Sequence, residues 1–287
     1  MNKIYFDKVT IIGVGLIGAS FSLAMKKNGL CGKVCGFGRN RENLIRAKER
    51  GIIDSFESDS ATACKSSDLI MLSSPVGSFQ DIVNKASGSF KKGAVVTDAG
   101  SVKGSLVYEL EKIMPEGVHY IGGHPIAGSD RSGIDASSGE LFRDAKCIIT
   151  PTENSDAGSL QSVSGLWESL GSEVISMTPE NHDKVYAAVS HLPHLIAYNI
   201  MNTVSEIDIS YLKFCGQGFK DTTRIASSSP ELWRDICLMN RENLLEMVSV
   251  FQKNLETLGQ YLRASDSDSI EKEFRKARTL REGIGQD

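Results

Sequence analysis

Hydrophobic and polar positions change rhythm once along this chain, near residue 178. Before that point short β-branched runs alternate with stretches of helical spacing; after it only helical spacing occurs. Strands are predicted over residues 8–12, 33–37, 68–75, 94–98, 118–121, 147–150 and 173–177. Helices are predicted between them: one ends at Asn28-Gly29, two span residues 40–50 and 78–87, and one reaches about Ile113. A last one carries Leu160, Val163, Leu166, Trp167 and Leu170 on one face and closes at Gly171. Repeated strand-helix units imply an α/β fold with a doubly wound, mainly parallel sheet and helices on both faces.

From Thr178-Pro179-Glu180, a capped helix start, the pattern is all α. Val185, Val189, Leu192, Ile196 and Ile200 form an apolar stripe that Pro193 must kink or break. A second start at Ser229-Pro230-Glu231 opens a long segment in which Leu244, Val248, Phe251, Leu255, Leu258 and Leu262 recur at alternating four and three residues. The expected organisation is residues 1–178 as one domain and 179–287 as an all-helical second domain whose seam suits a homodimer.

Gly13-Val14-Gly15-Leu16-Ile17-Gly18 follows the first strand at once and opens the first helix. That context makes it a phosphate-binding turn: Gly13 bends the chain, Gly15 admits a pyrophosphate, Gly18 lets helix and strand close up, and Leu16 and Ile17 begin the helix on whose N-terminus phosphates rest. A Rossmann-type dinucleotide domain is therefore expected, with ligands beyond the strand C-termini, at Ser73-Ser74-Pro75 and residues 98–103. The second strand ends without the usual ribose-binding acid and reads Gly38-Arg39-Asn40-Arg41. A guanidinium there suits a 2′-phosphate and points toward NADP, while Arg39 stacking on adenine would leave NAD open.

Composition adds exclusions. The 287 residues carry 32 basic and 36 acidic side chains, a net charge of −4, so no global basic field favours nucleic acid or anionic membranes. Six cysteines show no CxxC spacing. The nearly uncharged run at residues 9–25 holds the phosphate-binding glycines and lacks a cleavage site, so it is not read as a signal peptide; a cytoplasmic enzyme of small molecules is expected.

Five histidines occur. His124, in Gly-Gly-His-Pro-Ile-Ala-Gly at a strand C-terminus, is placed like a general base, its glycine neighbours leaving room around the ring. His191 and His194, in Ser-His-Leu-Pro-His, lack a third metal ligand, so no metal site is expected. His191 reads as a core residue and His194 as core or substrate contact. His119 and His182 read as ordinary, although His182, one turn into its helix, could face the cleft. Arg224, in Asp221-Thr-Thr-Arg-Ile-Ala226, suits bidentate capture of a carboxylate or a surface ion pair, and Trp233 suits core or pocket wall.

Taken in order, Gly13-x-Gly15-x-x-Gly18, Asp98-Ala-Gly-Ser101-Val-Lys103, Gly123-His124-Pro125-x-Ala127-Gly128, Ser190-His191-Leu-Pro-His194 and Asp221-Thr-Thr-Arg224-Ile-Ala226 resemble the prephenate/arogenate (cyclohexadienyl) dehydrogenase family, over residues 10–233. The resemblance implies oxidative decarboxylation of prephenate to 4-hydroxyphenylpyruvate, or of arogenate to tyrosine, with NAD or NADP as hydride acceptor, in tyrosine biosynthesis. It implies His124 as partner of the substrate hydroxyl, oriented by Ser101, with Arg224 on the ring carboxylate, His194 at the side-chain end and a dimer formed by the helical domain. Rival readings are a β-hydroxyacid dehydrogenase, which needs a catalytic lysine such as Lys184 or Lys213, and a dinucleotide-binding redox sensor, which has no use for Ser101, His124 and Arg224 together.

Overall fold

The computed structural model describes residues 4–128 and 133–284. Eight strands, β1 (Phe6–Ile12), β2 (Cys31–Phe37), β3 (Ser55–Glu57), β4 (Leu69–Leu72), β5 (Val95–Asp98), β6 (His119–Pro125), β7 (Lys146–Thr150) and β8 (Glu173–Ser176), form one sheet in the order β3-β2-β1-β4-β5-β6-β7-β8. Every pairing is parallel except β6 with β7. Helices α1 (Leu16–Lys27), α2 (Arg41–Glu49), α3 (Ser60–Cys64), α4 (Phe79–Ala86), α5 (Gly104–Lys112) and α6 (Ala157–Ser169) connect them. The doubly wound α/β reading thus holds, and the order reverses between β1 and β4, which puts a ligand crevice at their C-terminal ends.

β4 is apolar throughout and β1 is buried on both faces from Val9 onward because helices cover both, and two separate clusters of buried side chains flank the sheet. On one side Trp167 of α6 is fully buried, with its ring centroid 5.3 Å from Phe21 of α1 and 5.1 Å from Phe142. Aromatic pairs at such distances contribute about 0.5–1.5 kcal/mol beyond their burial, which fixes α1 and α6 against the sheet.

The helical stretch comprises α7 (Pro179–Tyr186), a π-helical turn (Ala187–His191), α8 (Leu192–Asp208), α9 (Gln217–Thr223), α10 (Pro230–Met239), α11 (Arg241–Ala264) and α12 (Ser267–Gly283). The change to helices comes where the sequence places it, whereas the compact units divide later, as Met1–Asn240 and Arg241–Asp287. Pro193 interrupts the α-helical pattern locally, as expected: the break is the π turn Ala187–His191, and Pro193 sits in the first turn of α8 directly after it. One expectation needs correction. The long segment from Ser229 is two helices, because Asn240 ends α10 and its buried side chain donates to the Asp183 carbonyl at 2.8 Å.

The apolar stripe also points the unexpected way. Val185 and Val189 are exposed, and α7 buries Pro179, His182, Asp183 and Tyr186. Polar side chains accept burial only with partners, and these have them, as described below. In the second unit Leu244 of the heptad seam is buried, but Leu255 and Leu262 are 52 % and 68 % exposed.

Candidate active site

At the switch point β1 runs into Gly13, whose φ is +97°; a Cβ there would stand 2.5 Å from the Ser74 nitrogen. At Gly18 a Cβ would stand 2.3 Å from the Gly13 carbonyl oxygen and 2.4 Å from Ser73 Oγ, so only glycine lets α1 lie this close to β1 and β4. Gly15 has nothing within 4 Å of its missing Cβ. The close and the open glycines therefore divide the roles that the spacing assigns to them. Gly13, Gly15, Arg39, Ser73, Ser74 and Pro75 together line a cleft of about 750 Å³. Leu16, Ile17 and Gly18 begin α1 and are not among its lining residues. No side chain caps the N-terminus of α1, which keeps its first N–H groups available for a phosphate. These residues fit a dinucleotide. Of the carboxylates that line the cleft, Asp81 lies on α4 and Glu231 and Asp235 on α10, none on β2.

The β5–α5 loop is fixed by a buried ion pair. Lys103 Nζ donates to Asp98 Oδ2 at 2.5 Å and to the Gly100 carbonyl at 2.8 Å. Both side chains are fully buried. Asp98 also accepts from the Tyr120 hydroxyl at 2.8 Å and from the nitrogens of Gly100 and Gly123 at 2.8 and 2.9 Å. These residues hold Ser101 and β6 in place; their charges are consumed by one another. Nor do the glycines before His124 leave room around its ring. A Cβ on Gly122 would stand 2.4 Å from Thr150 Oγ1, and one on Gly123 2.8 Å from the Asp98 carbonyl oxygen, so they let β6 close against its neighbours.

His124, 8 % exposed, contacts three residues of α7 or its end: His182, Tyr186 and, through His182, Asp183. His124 Nδ1 and His182 Nε2 share a 2.8 Å hydrogen bond, and His182 Nδ1 and Asp183 Oδ1 another of 2.8 Å. Asp183 Oδ1 also accepts from the Lys103 backbone nitrogen at 2.8 Å. Burial, then His182 and Lys103, holds His124 well below the ordinary imidazole range. Burial also pushes His182 down to about 2, and Asp183 up to about 6 against the Lys103 bond and charge. All three histidines of this core are thus neutral near neutrality, His191 being pushed down to about 4 by burial.

His191 is fully buried, shares a 3.1 Å hydrogen bond between its Nδ1 and Asn240 Nδ2, and is influenced by the Ser101 backbone. Its ring stands edge-on to Trp233, centroids 6.0 Å apart. Trp233 in turn stacks on His194, at 3.5 Å and 20°. His194 donates from Nδ1 to the Ser190 carbonyl at 2.9 Å, which leaves Nε2 as its acceptor. Arg224, exposed at the end of α9, lies close enough to help hold His194 neutral. Ring contacts of Trp233 therefore join His191 to His194, with the Ser101 backbone near His191 and Arg224 within electrostatic reach of His194, and hydrogen bonds through His182 and Asp183 join His124 to the β5–α5 loop. Lys184 and Lys213 are exposed. Among the described residues no His, Cys, Asp and Glu cluster has the arrangement of a metal site.

Sequence reasoning missed Asp183 altogether, and of His182 it saw only that the residue could face the cleft, not its bond to His124. The available signal was Pro179, His182, Asp183 and Tyr186 sharing one face of α7, at spacings of three and four.

The buried histidines predict acid lability. Unfolded imidazoles take up protons as pH falls through 6.5 while the native ones resist, so each contributes stability at neutral pH that is lost toward its folded value, about 4 for His191 and about 2 for His182. Asp183 opposes them below about 6, since it binds its proton more readily folded than unfolded. With up to about 1.4 kcal/mol per pH unit for each group, unfolding free energy from urea titrations should fall by roughly 3 kcal/mol per unit between about pH 6 and pH 4. Equal stability at both ends of that range would contradict the burial described.

A glycine-lined cleft at the switch point of a parallel sheet, with a buried histidine beyond the next strands, defines a nicotinamide-dependent dehydrogenase of two-part architecture. Comparison with known proteins narrows this. Residues 21–176 match the family model of the prephenate dehydrogenase nucleotide-binding domain, and residues 178–276 that of the prephenate dehydrogenase dimerization domain. The prephenate dehydrogenase of Bacillus subtilis is 30 % identical over 97 % of this chain and 76 % of its own length. The cyclohexadienyl dehydrogenase of Zymomonas mobilis is 31 % identical over 98 % and 97 %. The crystal structure of prephenate dehydrogenase from Aquifex aeolicus with hydroxyphenyl propionate and NAD+ superposes with a TM-score of 0.91, at 38 % identity over 97 % of this chain and 98 % of that one. The chain belongs to the prephenate dehydrogenase family.

Proposed function

We propose that this chain oxidatively decarboxylates prephenate, or its aminated counterpart arogenate, as a step of tyrosine biosynthesis. The observation that carries the reading is His124: a neutral, nearly buried imidazole at the end of β6 whose Nδ1 is engaged and whose Nε2 makes no hydrogen bond to a described residue. Its membership of the family and the relative crystallised with hydroxyphenyl propionate and NAD+ support the substrate class.

Gly15 and the first N–H groups of α1, at Leu16 and Ile17, would hold the pyrophosphate of the dinucleotide, Gly13 and Gly18 would shape the turn beneath it, and Ser73, Ser74 and Pro75 would line its path. When bound, the nicotinamide supplies the hydride acceptor. His124 Nε2 takes the proton of the ring hydroxyl as that carbon loses its hydride, so no cation builds up on the ring. The ring carboxylate then departs as CO2, its bonding pair enters the ring, and aromatisation drives the step. The proton on Nε2 goes back to the ring oxygen, which leaves as a phenol. Ser101 orients the hydroxyl, Arg224 carries the ring carboxylate into the site, and His194, stacked on Trp233, meets the side-chain end.

Two finer readings belong to the same proposal. Arg39, which lines the cleft with Asn40, Asn43 and Ser60, favours NADP, because a guanidinium gains from a 2′-phosphate what it cannot gain from a hydroxyl. The exposed Leu255 and Leu262 of the α11 seam favour a homodimer, and the reaction proposed places the enzyme in the cytoplasm. Steady-state assays with both substrates against both dinucleotides test the proposal. Turnover of prephenate or arogenate is expected, with kcat/KM higher for NADP than for NAD and the difference removed in Arg39→Ala. Reduction of neither dinucleotide on either substrate would overturn it, and a preference for NAD that Arg39→Ala leaves unchanged would overturn the cofactor reading.

A further inference from the structure

The contact between His124 and α7 does more than bury the ring, because its hydrogen-bond polarity can be followed from end to end. Asp183 accepts at Oδ1 from the Lys103 nitrogen, which can only donate. Ionised, the carboxylate can only accept, so the bond from His182 Nδ1 must carry its proton on nitrogen. A neutral His182 protonated at Nδ1 presents a lone pair at Nε2, and the 2.8 Å bond there must then be donated by His124 Nδ1–H. The lone pair of His124 is thereby placed on Nε2, the atom that the proposed reaction uses. We propose that His182 and Asp183 are positioning residues that fix His124 in the tautomer competent to accept the substrate proton and that steady the imidazolium formed when it does.

The second half of the proposal follows from the surroundings. His124 on β6 is faced by Lys103 from the β5–α5 loop, by His182 and Tyr186 from α7 and by His191 from the π turn, and its backbone meets the Cys147 thiol of β7. Of these, Lys103 is cationic and the others are neutral, so a proton gained by His124 meets no direct counter-ion. Asp183, one imidazole away, is the anion that the hydrogen-bonded chain brings to bear. Lys103 joins the two ends: its nitrogen anchors Asp183, and its ammonium is matched by Asp98.

The inference rests on His124 being the base of the reaction proposed above, and the first test is chosen to be independent of substrate. In the intact protein, nitrogen NMR of labelled histidines, assigned with single His→Gln variants, is expected to show both His124 and His182 protonated at Nδ1 and bare at Nε2. A proton on His124 Nε2 would overturn the proposal even in an active enzyme. The predicted tautomers in a protein that turns over neither prephenate nor arogenate would overturn the function and leave standing only the hydrogen-bond polarity that His182 and Asp183 impose on His124.

Turnover supplies the second test. Asp183→Asn keeps an oxygen that accepts from the Lys103 nitrogen and from His182 Nδ1, so the tautomers stand, but it removes the anion that steadies the imidazolium. A loss of about a hundredfold in kcat is expected, with the tautomers, KM and dinucleotide affinity near wild type. His182→Leu should lose about as much, because it leaves His124 Nδ1–H without an acceptor. His182→Gln, whose amide oxygen can accept from His124 while its amide nitrogen donates to Asp183, should recover activity to within about tenfold of wild type. Equal losses in His182→Gln and His182→Leu would reduce His182 to a packing role and overturn the proposal. Should Asp183→Asn fail to fold, the NMR of the wild-type chain and the Gln-against-Leu comparison decide.

Discussion

Replacing His124 with asparagine is expected to lower kcat by about two to four orders of magnitude while dinucleotide affinity stays near wild type, the range ordinarily lost with a general base. Asparagine keeps a polar group opposite His182 and fits the nearly closed space at the end of β6, but it cannot take a proton. The dinucleotide cleft is lined by the ends of β1 and β2, by the residues after β4 and by α2, α3, α4 and α10 rather than by His124, so its affinity should be preserved. Stopped-flow turnover and fluorescence titration of the dinucleotide separate the two quantities. Turnover within about tenfold of wild type would remove His124 from the chemistry.

The largest effect on stability should come from Lys103→Met. Asp98 has no exposure, and the substitution would leave its carboxylate with three N–H and O–H donors, Gly100, Gly123 and Tyr120, but no counter-charge. Breaking a buried pair from one side costs about 3–5 kcal/mol. Because Lys103 Nζ also donates to the Gly100 carbonyl, the loop that presents Ser101 should loosen as well, and activity should fall with stability. The double variant Asp98→Asn/Lys103→Met should recover part of the loss, since it leaves no unpaired charge. Urea titration of the three proteins measures this; a single variant within about 1 kcal/mol of wild type would mean that the pair is replaceable by solvent or relaxation.

Much of this architecture was legible before any coordinates. The glycine turn, the alternation of strands and helices and the shift to helices at residue 178 follow from local spacing, which a sequence displays directly; the strand order that makes a switch point is non-local and does not. β3, three residues long, and α3, five residues long, were too short to produce a period. The polar face of α7 was hidden for a different reason. Its exposed valines carry the regular stripe, while His182 and Asp183 gain their meaning from a strand 58 residues earlier and a loop 80 residues earlier. The same holds for Asn240, whose partners Asp183 and His191 lie 57 and 49 residues away. Asp98 and Lys103 show the converse: their place at a strand C-terminus suggested chemistry, and complete burial against each other makes them structural.

The claim on which the account depends is that His124, Ser101 and Arg224 meet on one small dicarboxylate beside a nicotinamide. A crystal structure of the protein with oxidised dinucleotide and a non-reacting analogue of prephenate tests it most directly. The account predicts the analogue's ring hydroxyl within hydrogen-bond distance, about 3 Å, of His124 Nε2, with Arg224 on a carboxylate of the same molecule. An analogue bound away from His124, or one that Arg224 does not reach, would contradict it.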